Sequence, residues 1–150
     1  MRTLIISLTV AALLLACHKK QEEADLSTPS MVGKWTINSV TVVPFDSTAT
    51  PINNGTTYPE PSYYYFSFTT ANTWLENLAP EPASGLDESG TYQLHGDTSF
   101  TLTNTNAPAK AVECRIDTLT NAQFVFTYQR STLYNGITPG YLEYIFHLAK

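Results

Sequence analysis

Side chains able to do chemistry are few in this sequence. It holds two cysteines and three histidines, and His18, His95 and His147 have no partner residues at a ligand-like spacing. His95 sits in His95-Gly96-Asp97, a turn by composition. His147 shares a strand face with Glu143 and Ile145, which should point it to solvent or to a rim. Acids occur side by side at Glu22-Glu23 and Asp87-Glu88, in a charged stretch and in a loop. Neighbouring carboxylates in such places are solvated charge rather than an acid and a base. Cys114 alternates with Val112 and Ile116, so it is expected to be a buried, inert small hydrophobe. A nucleophilic thiol would want a neighbouring base and an exposed setting. Gly-rich phosphate loops, Gly-x-Ser-x-Gly elbows and His-Glu-x-x-His patterns are absent from the sequence. No catalytic residue, metal site or cofactor is therefore expected, and the chain reads as a non-enzyme.

The other cysteine has a different setting. Met1, Arg2 and Thr3 precede an apolar run, Leu4 to Leu15, broken only by Ser7 and Thr9. Twelve helical residues rise about 18 Å, well short of the roughly 30 Å hydrocarbon core. Residues 1–16 thus read as a signal peptide and not as a membrane span. The closing Leu14-Leu15-Ala16-Cys17 resembles the lipobox of bacterial lipoproteins, where a peptidase cuts before the cysteine and its thiol carries a diacylglyceryl group. An ordinary signal peptide with a chance cysteine is the bland alternative. Stable anchoring takes more than one acyl chain, and lipoproteins of this class carry two or three. His18 stands where an aspartate would favour retention in the inner membrane, so the outer membrane is the expected address. Lys19-Lys20-Gln21-Glu22-Glu23-Ala24-Asp25 has almost nothing to bury. It reads either as a plain tether, over 17–30, or as an acidic signal for the cell surface.

Residues 31–150 are one domain's worth of chain. Lys34, Lys110, Arg115, Arg130 and Lys150 face ten acids there, with no basic cluster, which argues against nucleic acid and against electrostatic docking on anionic lipid. With Cys17 given to lipid, Cys114 has no partner for a disulfide. Rings are nearly as abundant as charges, 12% against 14%, and threonine is frequent, a composition that favours strands.

Period-two alternation recurs throughout and a helical period does not. Strands are expected over Trp35–Val43 (with a bulge near Asn38), Tyr63–Thr69, Thr73–Leu78, Thr91–Leu94, Ser99–Thr103, Ala111–Leu119, Gln123–Gln129 and Tyr141–Ala149. Long loops are expected over 44–62, around Pro80–Gly90 and over 130–140. The apolar faces carry Tyr64, Phe66 and Phe68; Tyr92 and Leu94; Phe100 and Leu102; Phe124, Phe126 and Tyr128; and Leu142, Tyr144, Phe146 and Leu148. Eight short antiparallel strands with one apolar face each must hide their edges, as an up-and-down barrel or as a two-sheet sandwich.

The order of elements resembles the bacterial lipocalin-like lipoprotein family. Its carriers are Val32-Gly33-Lys34-Trp35, Tyr65-Phe66-Ser67-Phe68, Ser89-Gly90-Thr91-Tyr92-Gln93-Leu94, Ile116-Asp117-Thr118-Leu119-Thr120 before Phe124–Tyr128, and Tyr144-Ile145-Phe146. The resemblance implies an eight-stranded barrel. It also implies a Trp in Gly33-x-Trp35 that seals one end beneath a late arginine, for which Arg130 is the only candidate. It further implies a non-catalytic binding module for a small apolar ligand.

Ring content suggests the other way to bind. Tyr63 and Tyr65 lie opposite Tyr64 and Phe66, next to a loop holding Tyr58. Exposed rings suit a glycan or a protein partner. Bulky residues should fill the interior of an eight-stranded barrel, which moves binding to the rim and outer face, near Tyr58, Tyr63, Tyr65, Arg130 and Tyr134.

Overall fold

The computed structural model describes residues 28–78, 88–109, 111–134 and 138–150, with 132–134, 138 and 139 described as strand only. Cys17 with its leader and most of the tether, Pro80 to Gly85 and the acid Asp87 lie outside the described residues.

Nine strands form a single antiparallel sheet: β1 (Gly33–Asp46), β2 (Thr56–Pro59), β3 (Tyr65–Phe68), β4 (Thr73–Asn77), β5 (Glu88–Leu94), β6 (Ser99–Asn104), β7 (Val112–Leu119), β8 (Gln123–Tyr134) and β9 (Thr138–Ala149). Each strand from β3 onward pairs with the next, and β9 returns to β1, closing the sheet into a barrel. The sandwich is thereby ruled out. The barrel has eight staves, because β2 and β3 succeed one another along the same edge of β1. β3 pairs with residues 33–36, β2 pairs with 39–42, and β9 takes the opposite edge. Ile37 N–H donates to Tyr64 O and Glu60 N–H to Asn38 O, carrying the ladder across the break between them. Among the described residues no helix is long and apolar enough to cross a membrane.

Two bulges set which side chains face inward. At Asn38 the β1–β9 register shifts, so that Ile37 and Val40 both point to the interior, opposite Leu148 and Phe146. At Asp117 the β7–β8 register shifts in the same way, bringing Ile116 and Leu119 inward opposite Phe126 and Phe124.

The barrel has a closed and an open end. Short turns at 69–73, 95–98 and 120–122 gather with the C-terminus and Met31 at one end. There Trp35, Phe66, Phe68, Phe100, Phe124 and Phe126 are almost wholly buried, ring against ring at centroid separations of 5.2–6.1 Å. Most of these pairs are edge-on or tilted and one, Phe66–Phe68, is stacked, and such pairs add to the area they bury. Trp35 seals this end, its Nε1–H donating to Met31 O at 2.7 Å. The cation over its ring is Lys150, with Nζ 4.3 Å from the centroid, and not Arg130. Gly33 (φ +134°) gives Lys150 room, since a Cβ there would come 3.2 Å from its Cε.

Several boundaries differ from expectation. The loop over 44–62 contains β2, whose four residues are all exposed and carry no alternation of burial. The segment 130–140 is mostly strand: β8 runs to Tyr134 and β9 starts at Thr138. Leu94, expected inward beside Tyr92, is half exposed because β5 ends there, at the His95 turn.

Candidate functional site

At the open end the filling changes character. Inward positions there belong to Val40 and Val42 on β1, Tyr64 just before β3, Glu76 on β4, Val112 and Cys114 on β7, Tyr128 on β8 and Tyr144 on β9. Tyr64, Tyr128 and Tyr144 are partly buried and pack on the aromatic core. Tyr144 stacks on Tyr128 at 5.1 Å, Tyr128 on Phe146 at 5.7 Å, and Phe146 on Phe126 at 5.0 Å, a column of rings from the mouth to the core.

Glu76 is the anomaly of this mouth. Phe66 and Trp74 fix its direction: Phe66 is its partner across β3–β4, and Trp74, two residues earlier, is buried. Its carboxyl therefore enters the barrel. Directly opposite on β5 stands Glu88, a like charge at a paired position, which costs stability. Burial, with Glu88 adding to it, pushes the Glu76 carboxyl up from 4.5 to about 8. Near neutrality it is largely a neutral acid. Among the described residues its carboxyl takes part in no hydrogen bond. Tyr128 is close enough to feel it: burial first, then Glu76, Tyr144 and Cys114, raise its phenol above the usual value, while Arg130 pulls the other way. The Cys114 thiol, buried at the foot of the mouth, is likewise held protonated by burial and by Glu113.

The residues expected to bind are not one cluster. Tyr58 pairs with Val40, so it sits on the inner face of the β1–β2 ribbon at the mouth, about half exposed. Tyr63 is also about half exposed, and its ring meets Tyr64 edge-on at 5.0 Å. Tyr65 points outward, where Lys34 Nζ covers its ring at 3.8 Å, so this face is already occupied. Arg130 lies in β8 opposite Leu142, exposed on the rim. Tyr134 ends β8 opposite Thr138, and its side chain lies outside the described residues. The structure thus brings Tyr58 and Arg130 to the mouth, leaves Tyr65 on the outer face, and places Tyr63 in the turn before β3 with its ring against Tyr64. Glu76 was missed because a single acid in Thr73–Leu78 looks like an outward residue. Only its parity with Trp74 could have flagged it.

A concavity of about 430 Å³ opens on the outside over β7, β8 and β9, beside Glu113, Arg115, Thr127, Gln129 and Glu143. Its polar groups are largely satisfied by each other. Arg115 Nε–H donates to Asp117 at 2.6 Å, Thr127 to the other Asp117 oxygen at 2.5 Å, and Gln129 to Glu143 at 3.1 Å. That Asp117 contact comes first among the causes that raise the guanidinium. Nearby, Thr101 donates to Glu113 at 2.7 Å and lies 2.6 Å from His95 Nε2, so the ring nitrogen donates to the hydroxyl. Together the two bonds clip the end of β5 to β6 and β7. Among the described residues no three His, Cys, Asp or Glu side chains could hold a metal ion.

Among curated proteins no relative matches the chain. The lipocalin-like domain family matches residues 31–126, which run from Met31 beneath Trp35 to Phe126 in the core. The structure adds the rest of β8 and all of β9, the strand that closes the barrel. The match covers well over half of the sequence, and the closed antiparallel barrel agrees with it: this chain belongs to the lipocalin-like domain family.

Proposed function

We propose that this protein is a lipid-anchored lipoprotein of the outer membrane, on its periplasmic face or at the cell surface. Its barrel acts without catalysis, binding a small apolar or amphipathic ligand at the open mouth. The observation that carries the reading is the asymmetry of the interior. One end is packed solid with rings, while the other ends in partly buried tyrosines and valines around a carboxyl that no described residue hydrogen-bonds. Family membership supports a binding module. The anchor rests on Leu14-Leu15-Ala16-Cys17. The chain enters the barrel at its closed end, where Met31 meets Trp35, so an anchored domain presents its mouth away from the tether.

Titration of the full chain with a fluorescent fatty-acid or retinoid probe tests the site. Saturable micromolar binding is expected, abolished by Val42→Trp, which plugs the mouth opposite Tyr144, and retained in Tyr63→Ala. Absence of saturable binding would overturn the reading. The anchor is tested separately: Cys17→Ala should block acylation and release the protein from membranes, and a variant still membrane-bound after cleavage would refute it.

A second reading has its own observations: the 430 Å³ outer groove and the half-exposed Tyr63. They suit a glycan or protein partner on the outer face. The same titration separates the two, because an outer-face site is insensitive to Val42→Trp.

A further inference from the structure

The mouth holds more chemistry than an apolar ligand requires. Glu76 lies inside the barrel wall with Phe66 beside it, and no described residue hydrogen-bonds its carboxyl. Glu88 stands at the paired position, so the wall presents two carboxyls to one opening. Across from them the phenol of Tyr128 is stacked on Tyr144, with its ring column running down to Phe126. Acidic groups backed by ring faces are the combination that attracts organic cations. The ring quadrupole draws the charge, and the site is partly desolvated, where such contacts strengthen. Arg130 is the only described cation at an inward rim position. It is exposed, and it acts on Tyr128 rather than on Glu76.

We propose that the mouth selects amphipathic ligands carrying a positively charged nitrogen, an amine or a quaternary ammonium on an apolar tail. The head sits between Glu76 and the outer face of Tyr144, the ring that ends the column at the mouth. This deepens the mouth-binding reading and rests on it. A like-charge pair facing an opening costs stability in the empty protein, and an arriving cation removes that cost. Because the empty site holds its proton up to about pH 8, a permanent cation must displace it. Affinity for that cation therefore rises with pH until Glu76 is ionised. Of the other titratable or charged groups, Glu88 on β5 pairs with Glu76 and Tyr128 on β8 feels its charge, while Tyr64 before β3, Tyr58 on β2, Cys114 on β7, Arg130 on β8 and Tyr144 on β9 occupy the remaining inward positions at this end. Burial holds Tyr128 and Cys114 protonated through this range.

Calorimetric titration of the full chain with three water-soluble probes of one shape tests the proposal: 3-phenylpropyltrimethylammonium, 3-phenylpropanol and 3-phenylpropionate. Above about pH 8 the cation should bind on the order of tenfold tighter than the alcohol, and the carboxylate weakest. Below that pH, cation affinity should fall by up to about tenfold per unit, while alcohol affinity stays level. Glu76→Gln, checked for folding by Trp35 fluorescence, should bind cation and alcohol alike with no pH dependence. Equal binding of all three probes by the unmodified chain would overturn the cation inference and leave the mouth-binding reading standing. Binding of none would overturn both.

Discussion

Cys114 and Glu76 are both inward-facing and titratable, and burial raises both, but only Glu76 is carried across the neutral range by it. Cys114 is almost completely buried, with only a long contact from its thiol to Val112 O at 3.8 Å. Burial keeps it protonated, so maleimide or disulfide reagents should leave native protein unlabelled and react only in denaturant. Rapid labelling of the native state would show that β7 is turned inside out. Glu76 has the larger consequence for stability. Its folded value of about 8 exceeds the unfolded 4.5, so between these limits the native state holds more protons than the unfolded state. Stability must then fall as pH rises through this window and level off above it, a loss on the order of a few kcal/mol. Glu76→Gln removes the titrating group. Urea midpoints at about pH 5 and pH 8.5 should diverge between the two proteins, the variant gaining at high pH; parallel curves would contradict the assignment. The Cys114 side was legible from its alternation with Val112 and Ile116, since flanking charges marked the opposite face. Glu76 was not legible, because an acid that costs stability breaks the pattern from which faces are read.

Strands were legible wherever rings or aliphatics alternate with hydroxyls, and this covers all eight staves. The bulge at Asn38 could be read too, from faces in Trp35–Val43 that do not fit one register. The bulge at Asp117 could not: its signature is Asp117 turning outward beside Arg115 to accept from Thr127, and the Thr127 contact is made only after β8 is in place. β2 was hidden for a related reason, being held by backbone pairing with β1 and by the Thr41–Thr57 hydroxyl pair rather than by burial. Lys150 over Trp35 shows the limit of reading a partner by residue type, since the position was filled by a different cation from the chain terminus. The β4–β6 part of the wall offers the sharpest test at this scale. Gly90 is inward-facing opposite Trp74, and a Cβ there would run into the Thr103 carbonyl and come 2.9 Å from Trp74 Nε1. That nitrogen also donates to Thr103 O at 3.4 Å. Gly90→Ala therefore has to push the Trp74 indole or split β5 from β6, at a cost of about 1–3 kcal/mol as for other overpacked sites. A lowered thermal midpoint with blue-shifted or broadened tryptophan emission is the expected outcome, and an unchanged midpoint would place Trp74 elsewhere.

The molecule as a whole depends on a contact between its first and last strands. β1 pairs with β9 from Thr36–Ala149 to Asp46–Gly140, the longest pairing in sequence, and β8 pairs with β9 over its full length. Every other neighbour pairing from β3 to β9 is a local hairpin. Folding must therefore close a loop of nearly the whole domain before the barrel gains its core, which predicts slow folding for a chain of this size. Without β9, Phe146 and Leu148 leave the core, Trp35 loses Lys150, and two facing edges of β1 and β8 are left unpaired. Long open edges bearing apolar faces associate with other chains. A chain ending at Tyr134 keeps every residue of the lipocalin-like match yet should not fold as a monomer. It is expected to aggregate or to give a broad, non-cooperative urea transition by circular dichroism. A peptide of residues 138–150 added in trans should restore a cooperative transition and the tryptophan emission of Trp35, because it brings back both edges and the cation at once. A cooperative monomer without the peptide would mean that the sheet is stable open, and that β9 covers the core without closing it.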